Sequence, residues 1–320
     1  MTRLAVSLHR YGVQVAILLV VLVVLTTTST QFRGPSAAFS TLEGFGLLGI
    51  VALGVAVTMI AGELDLSAAS MTTLGSVIAV RASDLGLLPA ILAAVAVCLL
   101  IGLVHGLVIA RTGINSLVLT IGSLVLLQGI AWVASGEGPV VVTDYAVSDQ
   151  VLLRWWILSP SSVIALVVFV GVGVFLAKTR NGREIYAIGG GRKESLAAGV
   201  PLARPLTTAF AISGACAGLA GALAAMRSGS ATPDAFETLL LTGVAAALIG
   251  GIALSGGSGT VLNVAIGVAV LSLITAGFSA QGAATYVVQL WTGVVLIATI
   301  AIRLVLGLVR TTHTKTGDTT

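Results

Sequence analysis

The sequence predicts an all-α polytopic membrane protein of about ten transmembrane helices, and three observations carry that prediction. Hydrophobic residues make up 57% of the 320-residue chain and charged residues only 9%, against roughly 25% charged in a soluble domain. The mean hydropathy is +1.10, and apolar runs recur between short polar breaks from end to end. A soluble fold of this length could not hide that much apolar surface from water. Glycine contributes 39 residues and aromatics 5%, a balance that suits helices packing through small side chains in lipid.

Arg3, His9 and Arg10 precede the apolar run 13–25, a pattern shared with secretory signals. The small residues Ser36, Ala37 and Ala38 lie far downstream of that run, so it reads as an uncleaved first transmembrane helix. A crossing needs roughly 20 residues, with about 17 as a lower bound. Long candidates are Tyr11–Thr28, Pro89–Ala110, Asn115–Ala134, Pro160–Ala177, Leu206–Met226, Gly259–Phe278 and Tyr286–Leu308. Phe45–Ala61, Leu66–Ala82 and Thr238–Ala253 are barely long enough, and each lies beside a glycine- and serine-rich break. Counting all ten puts both termini on the same side. With cytoplasmic termini, twelve Lys and Arg fall inside and four (Arg33, Arg81, Arg154 and Arg227) outside, the expected positive-inside bias. The count falls to eight if two of the short runs are re-entrant.

The chain therefore reads as one transmembrane domain over 1–320. A first half spans about 11–134 and a second half about 160–308, with a cytoplasmic loop 178–205 and a cytoplasmic tail 309–320. The outer connection Ser135–Leu158 reads as a solvated loop or a docking surface, with Trp155 and Trp156 as interfacial anchors. The halves echo each other at an offset of 188 residues: Gly62, Leu66, Ser67 and Ser70 lie over Gly250, Leu254, Ser255 and Ser258. Internal repeats are common in transporters, whose pathways lie where the repeats meet. Gly62, Glu63, Asp65, Gly250, Gly251, Gly256 and Gly257 are read as helix-break and capping residues.

Glu63 and Asp65 are a carboxylate pair at the edge of an apolar run, and charges in lipid often mark a pathway. Two-residue spacing puts them on different helix faces. The topology places them at a cytoplasmic bend, and Asp65 before Ser67 and Ser70 suits a helix start. Cys98 and Cys216 sit in apolar runs and read as packing residues. His9, His105 and His313 read as incidental, and no Ser/His/Asp or metal constellation appears, so the chain is not expected to be an enzyme.

The basic island Lys178–Arg204 holds six of the sixteen Lys and Arg residues. Its triple glycine is not a phosphate cradle, because G-x-x-x-x-G-K-[ST] is absent and no strand precedes it. Glu194–Ala198 can form one or two helical turns, stopped by Gly199 and Pro201. If ATP drives this protein, another subunit binds it.

Four stretches resemble the permease subunits of ribose/xylose/arabinose/galactose-type ABC importers over roughly residues 46–302. Gly62-Glu63-Leu64-Asp65-Leu66-Ser67 is similar to the family's Gly-Gly-Ile-Asp-Leu-Ser block. Thr120-Ile121-Gly122-Ser123 with Gln128-Gly129 is similar to Thr-Leu-Gly-Thr followed by Arg-Gly. Thr179–Gly190 resembles Thr-x-x-Gly-Arg-x-Ile-Tyr-Ala-x-Gly-Gly, and Ile249–Gly259 resembles Ile-Gly-Gly-x-x-Leu-Ser-Gly-Gly-x-Gly. Glu63, Gln128 and Ala69 depart from Gly, Arg and Gly in these blocks, which bears on the substrate.

The resemblance implies a multi-pass subunit of the prokaryotic cytoplasmic (inner) membrane that imports a monosaccharide or similar polyol. Its implied partners are an ABC ATPase subunit carrying ATP and Mg, a second permease chain and an extracytoplasmic solute-binding protein; no cofactor is expected on this chain. Glu194, Ser195, Leu196, Ala197, Ala198 and Gly199 are the implied ATPase-coupling element. Polar residues at helix breaks, Ser67, Ser70, Asn115, Gln128, Ser255 and Ser258, are the expected pathway lining. The alternatives are another small solute (a branched-chain amino acid, a nucleoside or a furanose-like signal) or a secondary transporter coupled to protons through Glu63 and Asp65.

Overall fold

The computed structural model describes residues 3–236, 238–284, 286–299 and 301, with side chains from Tyr11 onward. The chain is an all-α polytopic membrane protein. Seven helices are long and apolar enough to cross a bilayer. These are α1 (Arg3–Thr28, apolar from Tyr11), α2 (Pro35–Ile60), α4 (Leu87–Thr112), α5 (Ser116–Ser135), α7 (Pro160–Lys178), α10 (Ala203–Ser228) and α12 (Val261–Ala280). The shorter helices are α3 (Ala68–Arg81), α6 (Tyr145–Leu152), α8 (Arg180–Gly190), α9 (Arg192–Ala197), α11 (Leu239–Gly250) and α13 (Tyr286–Thr299).

Local chemistry explains the ends. Asn115 caps α5 by accepting from the Leu117 amide at 2.8 Å. Ser159 and Ser162 form a reciprocal capping box at the start of α7, with Pro160 in its first turn. Thr260 caps α12 by accepting from the Asn263 amide. Four helices stop where a left-handed glycine closes the last turn: Gly113 after α4, Gly136 after α5, Gly229 after α10 and Gly251 after α11, the conformation that glycine adopts without steric penalty.

Most of α2, α10 and α12 is buried, whereas α1, α4, α5 and α7 turn apolar side chains such as Leu19, Leu100, Val118 and Val167 outward. At the centre α10 packs against α2, α3 and α4. Its small residues allow this: a Cβ at Gly218 would lie 2.6 Å from the Ala94 carbonyl oxygen of α4, and one on Gly75 of α3 would lie 2.9 Å from Gly218 Cα. Helices in lipid have no hydrophobic drive toward each other, so close backbone contact replaces it.

Several expected bounds shift. The second crossing begins at Pro35 and not Phe45, because Pro35 supplies a helix start that the hydropathy profile ignores. Leu66–Ala82 contracts to α3 with 14 residues, and Thr238–Ala253 to α11 with 12. Ser135–Leu158 is not an open loop. Asp144 caps α6, Val147 and Val151 are buried, and Val140–Val141 pairs with Ser230–Ala231 as a two-stranded antiparallel ladder. The tail 309–320 and the end of the last predicted crossing lie outside the described residues.

The connections gather at two ends. At one, Arg81 donates to the carbonyls of Ala134 and Ser135, and the Val142 amide donates to the Gly229 carbonyl at 2.9 Å. At the other, the α2–α3 break, the α4–α5 connection, α8–α9 and the α11–α12 connection converge. Gly218→Val is expected to force α10 away from α4 and to destabilise the protein by about 1–3 kcal/mol, as overpacking does. The check is the thermal unfolding midpoint of the detergent-purified protein beside Gly122→Val, a site with nothing within 4 Å. Equal midpoints for the two would refute the packing account.

Candidate functional site

The basic island folds into two helices joined at Gly191. Thr179 caps α8 by accepting from the Gly182 amide at 3.0 Å, and Arg180 pairs with Glu184 one turn on at 2.8 Å. Ile185 and Ile188 are buried against the bundle, and Asn181 donates to the Thr208 hydroxyl of α10 at 2.7 Å. Gly189 and Gly190 are the last residues of α8.

The helix α9 then rises with Ser195 buried and Lys193, Glu194, Leu196, Ala197, Ala198 and Gly199 exposed; Leu196 shows half its surface. It closes with a Schellman motif. The Gly199 amide donates to Leu196 and the Val200 amide to Ser195, with Gly199 left-handed, the geometry that favours glycine at this position. The candidate coupling residues thus form one rigid turn offered to solvent.

Two contacts tie this element to the membrane helices. The Arg192 guanidinium forms an ion pair with Glu63 at the α2–α3 break. Beside it, backbones meet with no side chains between. A Cβ on Gly256 would lie 2.6 Å from Gly62 Cα and 2.7 Å from the Gly189 carbonyl oxygen, and one on Gly257 would lie 2.5 Å from Gly190 Cα. The Gly257 amide donates to the Ile60 carbonyl at 2.8 Å. Gly62, Gly256 and Gly257 all have positive φ.

The two echoing segments therefore touch each other, and both touch the end of α8. Each break opens with the same cap: Gly62 and Glu63 donate to Met59 and Thr58, and Gly251 and Ile252 donate to Leu248 and Ala247. The equivalent left-handed glycines are Gly62 and Gly251, one residue out of the sequence register. The second break is longer before its next helix cap, Thr260, so Ser67 and Ser255 are not equivalent: Ser67 precedes α3 and is buried, while Ser255 is exposed.

Asp65 does not sit in a solvated bend, because it is fully buried. One carboxylate oxygen accepts from the Ser67 amide at 3.1 Å and from the Ser67 hydroxyl, and the other accepts from the Ser213 hydroxyl of α10 at 2.7 Å. The Ser67 hydroxyl lies 3.4 Å from His105 Nδ1 on α4. His105, read as incidental, and Ser213, not singled out in the sequence, thus join α3, α4 and α10 around one carboxylate. A signal for His105 was present. It lies three residues after Gly102 and one before Gly106, and both glycines contact the α10 backbone.

The expected pathway residues are not brought together. Ser70 donates to the Ser67 carbonyl and is buried, Asn115 is an exposed helix cap, and Ser255 and Ser258 are exposed at the α11–α12 connection. Gln128 lies toward the opposite end, where its amide donates to the Pro233 carbonyl.

Residues 37–302 match the family described as branched-chain amino acid transport system / permease component. The chain belongs to this family. The permease is 29% identical over 303 residues to an L-arabinose ABC transporter permease of Azospirillum brasilense, covering 91% of this chain and 86% of that one. It is 28% identical to a ribose import permease of Escherichia coli (strain K12), covering 89% and 91% of the two chains. It is 31% identical to a galactose/methyl galactoside import permease of Haemophilus influenzae, covering 79% and 82%. No solved structure matches the permease.

Glu63 is one-tenth exposed and Arg192 about two-fifths, so their pair is partly screened and contributes about 1 kcal/mol. Glu63→Ala is expected to speed amide exchange across 192–199 a few-fold. Reversing the pair, Glu63→Arg with Arg192→Glu, should recover protection. Unchanged exchange in the single variant would show that α9 is held by the glycine contact alone.

Proposed function

We propose that this permease is the membrane-spanning subunit of an ATP-binding-cassette importer of the cytoplasmic membrane, carrying a monosaccharide or similar small polyol. The observation that carries the reading is α9: an exposed, capped turn whose only buried member is Ser195, tied through Glu63 and the glycine contact to both helix breaks. A load placed on α9 by a closing ATPase is passed through Glu63 and the glycine contact to the α2–α3 break and the α11–α12 connection. Interfaces that must move as units transmit displacement in this way.

Ten crossings with both ends cytoplasmic is the topology we adopt. The connections alternate between the two ends of the bundle in chain order, with α3 and α11 as the short crossings. The basic island then lies inside, in keeping with the charge bias. The sugar substrate rests on the names of the arabinose, ribose and galactose relatives. Two permease chains, two ATPase subunits and an extracytoplasmic binding protein complete the assembly. The carboxylates that a proton-coupled carrier would use are already engaged, Glu63 by Arg192 and Asp65 by Ser67 and Ser213.

The test is co-purification from native membranes in mild detergent, for the wild type and for Leu196→Asp/Ala198→Arg, both changes lying on the exposed face of α9. An ABC ATPase that accompanies the wild type and is lost from the variant is the expected outcome. An ATPase retained by the variant would remove α9 as the docking element. The ABC reading itself fails if none accompanies the wild type under conditions that preserve a control importer.

A further inference from the structure

At the end of the bundle opposite α9, a cavity of about 480 Å³ opens between α2, α7, α10 and residues 230–236. Its size lies within the roughly 300–1,000 Å³ of small-molecule sites. Glu43, Ser161, Arg227 and Thr232 line it beside Leu47 and Phe236. Glu43 sits a third of the way along α2 and is 5% exposed. Its carboxylate lies 3.3 Å from Arg227 Nε, and among the described residues it has no other polar partner. Ser161, in the first turn of α7, is also 5% exposed, and its hydroxyl has no hydrogen-bond partner. Buried polar groups are normally satisfied. Here a carboxylate with unused lone pairs lies at the cavity, and the unpartnered Ser161 hydroxyl is closed off within its wall.

We propose that this cavity is an outer solute subsite of the permease, taking a neutral polyhydroxylated small molecule. Glu43 accepts from the solute hydroxyls, Arg227 and Thr232 donate to its oxygens, and Phe236 and Leu47 cover its C–H face. The charges on the page select the class. Glu43 and Arg227 cancel, so the cavity has no net charge to offer an ion. A phosphate would meet Glu43 as a like charge, whereas a hydroxyl adds to the lone pairs and N–H groups that the pair leaves free; an amino-acid zwitterion, which can bridge the same groups, is the rival that the leucine arm of the test decides. The Gln128 amide donates to the Pro233 carbonyl and so ties α5 to the segment that carries Thr232 and Phe236.

The proposal rests on the import reading above, and the experiment separates the two. Cys98 and Cys216 are both buried, so Ala224→Cys, on the cavity wall, adds a thiol that a membrane-impermeant maleimide can reach from outside. The importer is reconstituted with its ATPase and binding protein, and labelling is timed with L-arabinose, D-ribose, D-galactose, L-leucine or phosphatidylethanolamine added. Whichever sugar is imported is expected to slow labelling by at least about fivefold at saturation. That protection should disappear in Glu43→Gln. If that variant does not assemble, Thr232→Val, which replaces a hydroxyl with a methyl on the cavity wall, must lose protection in its place.

Unslowed labelling while a sugar is imported overturns the subsite and leaves the importer intact. Protection by leucine or by the lipid, and not by an imported sugar, overturns the neutral-polyol assignment. If the assembled wild type imports none of the three sugars, the import reading falls and the subsite falls with it.

Discussion

The contact among Gly62, Gly189, Gly190, Gly256 and Gly257 is the constraint on which the inner end of this protein depends. Three chain segments approach at backbone distance, and a single Cβ on Gly256 or Gly257 would intrude on the neighbouring main chain. Gly62, Gly256 and Gly257 also hold positive φ, so these three glycines are required both for the conformation and for the contact. With no side chains in the seam there are no rotamers to absorb displacement. Movement of α8 must pass to both helix breaks or open the seam.

Above this seam the structure places its polar chemistry where it serves packing. Asp65 would be costly to bury alone, and three donated hydrogen bonds from Ser67 and Ser213 offset that cost. The same bonds join α3 to α10, the helix that also packs against α2 and α4. Glycine-lined approach of α10 to α3 and α4 supplies the dispersion contacts that lipid cannot replace by a hydrophobic drive. The outer end follows a different logic. The Arg81 guanidinium closes the connections there by donating to main-chain carbonyls and the small ladder by backbone pairing, while Glu43 keeps polar capacity directed into a cavity.

Much of the fold was legible because hydropathy and charge each report one physical fact, solubility in lipid and side of the membrane. Six of the seven long helices and the basic island follow from those two readings. Hydropathy could not place the start of α2, since residues 35–44 include Ser36, Ser40, Thr41 and Glu43 and yet remain helical, started by Pro35 and with Ala37 and Glu43 buried. The α9 turn was legible from Gly199 and Pro201. Its anchor was not, because Arg192 and Glu63 are separated by 129 positions in the chain. The echo between the halves was visible, but its register slipped by one residue: left-handed glycines mark equivalent turns, whereas identical letters do not.

Alone, the sequence determined that this chain lives in lipid, which end is basic, where its helices break and which family it belongs to. These are properties of composition and local pattern, and they survive without knowing any contact. Only the tertiary structure decided that Glu63 and Asp65 have different duties, that His105 and Ser213 share a carboxylate with Ser67, and that Glu43 meets Arg227. Each of those pairings joins residues on different helices, and helices in lipid select their partners by close packing, which no single-helix pattern encodes.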